Sequence, residues 1–533
     1  MLHLSIPEVT FMIHYQRFKN RIIVLFSENS VLEHSIADAF RQEGGTVVVL
    51  NKQDNVEAVF TQYGRIDVFV AIPPKTNPDI ALTEVASTDW KTRCFEYAEA
   101  FFLFAGKTAS LMSQRQEGGV ILAVCSASAA QSGSDQDVCA SILHASIRHF
   151  IKCGVIQWAA HRIRCQTLFY GGLEALPDIG AKTPSGRITI HSPILPRAVS
   201  GNDVAEAVLF LCSDDAVFMS SCELNIDAGV GAGPDIFTGK NSLGNATYDQ
   251  FLKAGVLVFD GSKRQTSPIE DSEAISEEIL SRTPPTDPQT VLVTGVSRGL
   301  GKALTERLIA EGHTVLGCAR SAKTIDELRQ TYGAPHCFEV VDLTNRRQVV
   351  AWAESLKNRN VIPDFIMNNA AIIGDEPYHI WKITEECFQE VFMANVMSAV
   401  NMIHAFVPIM FRRMKGIIVN FSSGYGREFA PNIAQYAMAK VAPYSMSKWC
   451  IESLSRCLAA ELPTKMACVS LHPGNIHTES MAKGFGRYAD RYPTPEEWAM
   501  VAVPFLLSLT PQDNGKAISV PGMTEFRGMA RPS

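Results

Sequence analysis

The chain has 533 residues, too many for one ordinary hydrophobic core, and this length predicts at least two domains. Hydrophobic residues make up 46% and charged residues 19%, a balance that fits a soluble globular enzyme and excludes a disordered or fibrous chain. The formal net charge of −7 is small for this length and no lysine or arginine run forms a basic patch, so nucleic acid is not an expected partner.

At the N-terminus, MLHLSIPEVTFMIHYQRFKNR holds apolar residues, but charge, His and Gln interrupt them before a signal-peptide core can form. No run of about 18 uninterrupted apolar residues occurs, so no membrane-spanning helix is expected. The nearest candidate, 397–410, contains Asn401, His404 and Pro408. Thirteen cysteines without a secretory signal predict free thiols in a reducing compartment, the cytoplasm. The chain contains neither Cys-x-x-Cys nor His-Glu-x-x-His, so no metal site is expected.

In chain order, β-branched runs at 21–26 (RIIVLF), 46–50 (TVVVL), 66–71 (IDVFVA) and 119–124 (GVILAV) predict strands that alternate with amphipathic helices. The alternation returns at 290–294 (TVLVT), 313–318 (HTVLGC), 363–368 (PDFIMN) and 416–421 (GIIVNF). Such alternation implies parallel sheets covered on both faces. The two stretches also end alike, at 204–229 and 498–522. The predicted architecture is α/β: two Rossmann-like, doubly wound parallel-sheet domains in tandem, at 1–233 and 290–533, joined by a linker at 234–289. Within that linker, SKRQTSPIEDSEAISEEILSRTPPTDPQ (262–289) is polar, acidic and proline-punctuated and reads as exposed. The preceding TYDQFLKAGVLVFDG is open to packing on either domain.

The second half carries the chemistry. Strand TVLVT runs into TGVSRGLG (294–301) and then into a helix, KALTERLIAEG. Gly295, Gly299 and Gly301 permit a tight turn and let backbone N–H groups approach a pyrophosphate at the helix N-terminus. Ser297, Arg298 and Leu300 complete this candidate dinucleotide loop. An NAD site places an acid after the second strand, an NADP site an arginine. Here the chain offers Ala319, Arg320 and Ser321 with no acid, and Arg298 supplies a second cation, which favours NADP(H). Asp342, followed by Leu343, is placed either to hydrogen-bond adenine or to cap a turn.

Residues 290–528 resemble a short-chain dehydrogenase/reductase. TGVSRGLG, MNNAA (367–371), Asn395 in ANVMSA, a Ser-Ser pair, Tyr-x-x-x-Lys and HPGNIHT (472–478) occur in the family's order. The wording FSSGYGR, PYSMSKWCIE and YPTPEEWA…PQDNGK resembles a subgroup that contains plant pterin aldehyde reductases. Ala371 departs from the family's usual glycine. The resemblance implies an NADPH-dependent oxidoreductase that reduces a small carbonyl or aldehyde, pterin-like substrates included. Asn369, Ala370, Pro473, Gly474, Ile476 and Thr478 would join the loop in holding NADP(H). Ser423 would hydrogen-bond the developing oxyanion, and Asn395 would fix a water that relays protons to the lysine. The tyrosine must supply a proton, and its ordinary pKa of about 10 suits neutral pH poorly unless a lysine ammonium stands near. That lysine would also hold the nicotinamide ribose. The substrate pocket would be shaped by loops, chiefly 475–495.

The chain offers two Tyr-x-x-x-Lys units. Tyr436 with Lys440 lies at the family's usual spacing from Ser423. Tyr444 with Lys448 stands at the usual distance from Glu461, the expected helix end. Choosing Tyr436 inserts eight residues into the helix, rotating the downstream turns by about 80° and shifting them by about 12 Å. It also buries Pro443 in the helix interior, at roughly 3 kcal/mol or more. Choosing Tyr444 puts the extra residues in a loop, at roughly 0.6 kcal/mol per doubling, and Pro443 in the first helical turn. Tyr444 and Lys448 are therefore the expected catalytic pair.

Residues 21–229 resemble the same family in outline only. Where the glycine loop belongs the chain reads FSENSVLE (26–33), without glycine and with Glu28 and Glu33 facing an incoming phosphate. Positions 71–74 read AIPP, the asparagine position falls near Tyr97, Ser126 survives, and the Tyr-x-x-x-Lys region reads CASILH (139–144). This half is expected to bind no dinucleotide. Family members pair through the helices after the fourth and fifth strands, here the apolar-faced segments 96–112 and 140–159. The expectation is that this half pairs with the other inside one chain, or that the chain forms a homo-oligomer. The rival to catalysis is an NADP(H)-binding sensor or scaffold with an impaired site.

Overall fold

The computed structural model describes residues 16–28, 30, 32–74, 90, 95–115, 117–126, 138–171, 199–226, 272–374, 380–427, 442–479, 481–482 and 486–523. In the first half, strands β1 (Ile22–Ser27), β2 (Thr46–Leu50), β3 (Val68–Ile72), β4 (Gly119–Ser126), β5 (Ile163–Tyr170) and β6 (Glu223–Ile226) form one parallel sheet in the order β2-β1-β3-β4-β5-β6. Its helices are α1 (Glu33–Gln42), α2 (Val56–Tyr63), α3 (Glu96–Ser113), α4 (Val138–Trp158) and α5 (Gly201–Cys212). A further helix, α6 (Ser272–Leu280), precedes the second sheet.

That sheet comprises β7 (Thr290–Thr294), β8 (Thr314–Ala319), β9 (Cys337–Val340), β10 (Phe365–Asn368), β11 (Gly416–Phe421), β12 (Met466–His472) and β13 (Ala517–Ser519), all parallel, in the order β13-β12-β11-β10-β7-β8-β9. The helices are α7 (Gly299–Ala310), α8 (Ala322–Tyr332), α9 (Arg346–Asn358), α10 (Glu385–Phe392), α11 (Ser398–Phe411), α12 (Ala442–Glu461) and α13 (Pro495–Leu507). Strands such as β1, β3 and β10 are buried at every position, which is why they read as continuous apolar runs. The two sheets differ at one edge. Residues 51–67 hold only α2 between β2 and β3, whereas α8, β9 and α9 lie between β8 and β10. The first sheet therefore lacks the counterpart of β9.

Helix α6 corrects the reading of 262–289 as exposed throughout. Ile279 is fully buried and Ile275, four residues earlier on the same face, packs beside it against the second sheet's core. Ser276 Oγ accepts a hydrogen bond from Ser519 N of edge strand β13 at 3.1 Å. Arg282 then pairs with the buried Asp513 at 2.6 Å. Glu277 and Glu278 are exposed, and the acidic composition of the segment hides a two-isoleucine stripe. The segment 247–261 lies outside the described residues.

The halves meet along their helices. Helix α4 packs on α12, and α3 packs on α10. Phe102 lies 4.9 Å from Phe388, and Phe95 lies 6.0 Å from Phe392, between ring centroids. Gln389 donates to Glu99 at 2.7 Å, and Gln157 accepts from Ile380 N at 3.0 Å. One apolar cluster runs without a break from Phe101 and Phe150 to Phe392 and Leu454. Residues 385–411 are long and apolar enough to cross a membrane by length and composition alone, but 78% of the most apolar window is buried inside the molecule, as in a core helix.

Candidate active site

Strands β7 and β10 are neighbours whose connections leave in opposite directions, the point at which such sheets bind ligands. Thr294, the last residue of β7, ties the two strand ends together. Its Oγ1 accepts Asn369 N at 2.9 Å and Ala370 N at 3.0 Å, and its carbonyl accepts Asn369 Nδ2 at 2.9 Å. The glycine loop then turns into α7. A Cβ on Gly301 would sit 2.2 Å from the Gly295 carbonyl oxygen, so this crossing excludes any side chain. Above Gly299, at φ +57°, the nearest atom to a Cβ would be Thr478 Cγ2 at 4.0 Å. A helix N-terminus with glycine at its first and third positions and open space above Gly299 suits a pyrophosphate, and the residues present fit a dinucleotide.

The remaining predicted cofactor residues surround this cradle. Ser297 and Leu300 are partly buried within the loop. Arg298 is exposed and lies 3.3 Å from the equally exposed Glu479, a weak pairing. Arg320 is exposed at the end of β8. Of the two roles open to Asp342, the geometry has the turn cap, since Oδ1 accepts Thr344 N at 3.0 Å and Thr344 Oγ1 at 2.8 Å. Leu343 is buried behind it. Past β12, the Pro473 carbonyl accepts Trp498 Nε1 at 2.8 Å, Gly474 and Asn475 come next, and Ile476 is buried, which sets Thr478 opposite the glycine loop.

Ser423 follows β11 in extended conformation and its Oγ accepts Tyr425 N at 3.3 Å. Helix α12 has Pro443 in its first turn, so Tyr444 and Lys448 stand one helical turn apart on one face. Of the polar side chains near the Tyr444 phenol, Ser423 is the one that favours its charged form. Burial pushes the Tyr444 phenol above its ordinary value, and the Ser423 hydroxyl only partly opposes this. Lys448 is buried, its Nζ 5.5 Å from the Tyr444 ring centroid, and it donates to the Phe421 carbonyl at 2.7 Å. Burial lowers its ammonium to about 8, against the opposing pull of Glu452. In the chain alone, desolvation outweighs the groups that favour the phenolate. Tyr436 and Lys440 lie outside the described residues.

Asn395 sits in a π-helical turn, Met393–Met397, between α10 and α11. Such one-turn bulges often mark functional positions. Its Nδ2 donates to the Ile372 carbonyl and to Ser447 Oγ, both at 2.9 Å, and its Oδ1 accepts Ile372 N at 2.8 Å. It thereby fastens α12 between Tyr444 and Lys448. One small cavity is lined by Thr294, Leu343, Ala370, Asn395 and Lys448, which joins the cofactor residues to the catalytic ones.

Sequence reasoning missed the charged network behind Lys448. Arg427 Nε donates to Glu452 Oε1 at 2.7 Å and Nη2 donates to the Ser470 carbonyl at 2.9 Å, with both charged side chains buried. Burial works to raise the Glu452 carboxyl, but Arg427 and a hydrogen bond from Ser470 hold it below the usual carboxylate range. The available signal was spacing, since Glu452 stands four residues after Lys448 on one helix face.

Comparison with known proteins gives two family matches in tandem. The short chain dehydrogenase family matches residues 289–487, and the family described as enoyl-(acyl carrier protein) reductase matches 51–231. An NADPH-dependent pterin aldehyde reductase of Arabidopsis thaliana is 41% identical over 44% of this chain and 93% of its own length. An uncharacterised oxidoreductase of Bacillus subtilis is 32% identical over 36% of this chain and 70% of its own length. A solved short chain dehydrogenase from Shigella flexneri aligns at 20% identity and a TM-score of 0.40, covering 46% of this chain and 98% of that one. The chain belongs to the short-chain dehydrogenase/reductase family.

Proposed function

We propose that the second half is an NADPH-dependent reductase of a small carbonyl or aldehyde, with Tyr444 as proton donor. The observation that carries this reading is the placement of Tyr444 beside a buried Lys448, Nζ 5.5 Å from the phenol ring centroid, whose cavity is shared with Thr294 and Asn395. The dinucleotide, when bound, supplies the hydride. Ser423 Oγ offers a hydrogen bond to the substrate oxygen as charge grows on it. Tyr444, kept protonated by burial, delivers a proton to that oxygen. Lys448 places a cation near the phenolate that remains, and Asn395 holds the helix that carries both. Arg298 and Arg320 supply the cations that suit a 2′-phosphate, and the name of the Arabidopsis relative supports NADPH.

The first half serves in this reading as a degenerate copy retained as an intramolecular partner in place of a homodimer, the packing of α3 and α4 being its support. A cytoplasmic setting rests on the cysteine content of the sequence. The decisive measurement is loss of NADPH absorbance with full-length protein and a panel of carbonyl compounds, pterin aldehydes first. Turnover that disappears in Tyr444→Phe and survives in Tyr436→Phe supports the assignment; full activity in Tyr444→Phe overturns it. The rival, an NADP(H)-binding sensor or scaffold, draws on Lys448, whose ammonium is committed to the Phe421 carbonyl. NADPH binding without turnover on the whole panel would establish that rival.

A further inference from the structure

We propose that His149, on helix α4 of the first half, is a positioning residue for the proton-donating site of the second half: it hydrogen-bonds Ser445, and through Ser445 it locks the turn bearing Ser423 to the helix bearing Tyr444. His149 is 1% exposed, and its Nε2 is hydrogen-bonded to Ser445 Oγ. The Ser445 hydroxyl also reaches the Tyr425 carbonyl at 2.8 Å. Tyr425 N in turn donates to Ser423 Oγ at 3.3 Å. Ser445 is the residue after Tyr444, so one hydroxyl bridges the two chain segments that carry Ser423 and Tyr444.

Proton accounting fixes the direction. The Tyr425 carbonyl can only accept, so it takes the single Ser445 hydroxyl hydrogen. Ser445 Oγ then accepts from His149, whose Nε2 must carry a hydrogen. The ring is neutral, because burial, with Lys152 and Arg148 nearby, lowers it to about 3. Its orientation is set by stacking on Trp449, ring centroids 5.4 Å apart, and Arg148 lies 5.9 Å from the same indole. Ser445 and Trp449 are four apart and each adjoins a catalytic residue, so the first half grips the helix one residue off the Tyr444–Lys448 face.

This inference rests on Tyr444 being the proton donor, and three full-length variants separate the two ideas. His149→Phe keeps the aromatic stack and removes the donor, His149→Gln restores an N–H at the Nε2 position, and Ser445→Ala removes the bridge. We expect kcat to fall about tenfold in His149→Phe and in Ser445→Ala, with NADPH affinity unchanged. The double variant should be no worse than either single one, and His149→Gln should recover most of the loss. Hydrogen exchange at 425–427 should quicken in His149→Phe and return to normal in His149→Gln, a readout that needs no turnover. Wild-type kcat in His149→Phe, or additive losses in the double variant, would overturn the inference. If wild-type protein reduces no carbonyl, the reading of Tyr444 fails and exchange alone decides: equal protection in His149→Phe and wild type then refutes the positioning role.

Discussion

Where β7 of the second half ends in Thr294, β1 of the first half carries Phe26. Aligning the sheets on the pairings Ile23 with Val68 and Val291 with Phe365 also sets Ile72 and Pro73 where Asn369 and Ala370 stand. On β4 the same alignment keeps Ser126 opposite Ser423, while Tyr170 takes the place of Pro473. Phe26 accepts no hydrogen bond. It is fully buried against Tyr97 at 5.3 Å and Phe104 at 4.8 Å between centroids. The first sheet also lacks the strand whose counterpart leads into Asp342. The comparison separates two sets of residues. Apolar strands and pairing helices hold the fold and persist in both halves. The site depends on a few small or polar residues at strand ends, and replacing them with aromatics fills the site while adding buried apolar surface.

The largest effect that could break this contrast is at the proton donor. Tyr444→Phe should lower NADPH-dependent turnover roughly 10²–10⁴-fold with little change in melting temperature. The matching control is Tyr97→Phe, whose buried hydroxyl has no partner among the described residues, so that its removal should leave both turnover and stability at wild-type level or slightly raise stability. Steady-state kinetics and thermal melts on the pair check this. Loss of activity in Tyr97→Phe would mean the first half takes part in the chemistry.

Next in size is the cofactor cradle. Gly301→Ala forces a Cβ to within 2.2 Å of the Gly295 oxygen, so the loop must shift. Such a shift should weaken NADPH binding about tenfold or more, since the pyrophosphate needs the backbone N–H groups in place. Fluorescence titration of wild type should count one NADPH per chain. A second site would contradict the filled state of the first half.

Much of this contrast is legible in the sequence, because continuous apolar strand runs, the glycine loop and the four-residue Tyr444–Lys448 spacing are local patterns. The absence of glycine in FSENSVLE is local too, and it is readable without any partner. What escapes sequence reading is set by distant partners. Arg427 meets Glu452 across 25 residues, and His149 meets Ser445 across 296. Helix α6 escapes for a different reason: its acidic composition outweighs Ile275 and Ile279 in any judgement made on polarity alone. The proximity of Tyr444 to Lys448 is readable from spacing, while the burial that raises the phenol is not.

A smaller effect tests the charged network behind Lys448. Lys448 is lowered to about 8 and Glu452 opposes the lowering. If the ammonium is needed, kcat should decline above about pH 8, and Glu452→Gln should move that decline to lower pH because the supporting negative charge is gone. The linkage has a definite sign. The folded chain binds fewer protons at Lys448 than the unfolded chain between about pH 8 and 10.5, so this group's contribution to stability grows as pH rises through that window. Melts of wild type and Lys448→Met across the window check it, and a pH-independent difference between them would show that the lysine does not titrate there.

The smallest expected effect lies on the seam between the halves, where apolar contacts adjoin an acidic patch. Glu99 on α3 is raised above its ordinary value by burial first, with Gln389 donating a hydrogen bond against this and Glu385, Glu96 and Glu386 adding repulsion. A carboxyl raised on folding binds more protons in the folded chain, so its contribution to stability is lost as pH rises above 4.5. Glu99→Gln removes the charge but keeps a carbonyl acceptor for Gln389. It should raise the melting temperature at pH 7 by about 1–3 °C. The gain should shrink below pH 4.5, where both side chains are neutral, and also in high salt, which screens the neighbouring acids. Melts of the two proteins from acid to neutral pH, at low and high salt, measure this. A gain that persists unchanged in acid would place the effect in packing across the α3–α10 contact, and the seam would then be held by shape alone.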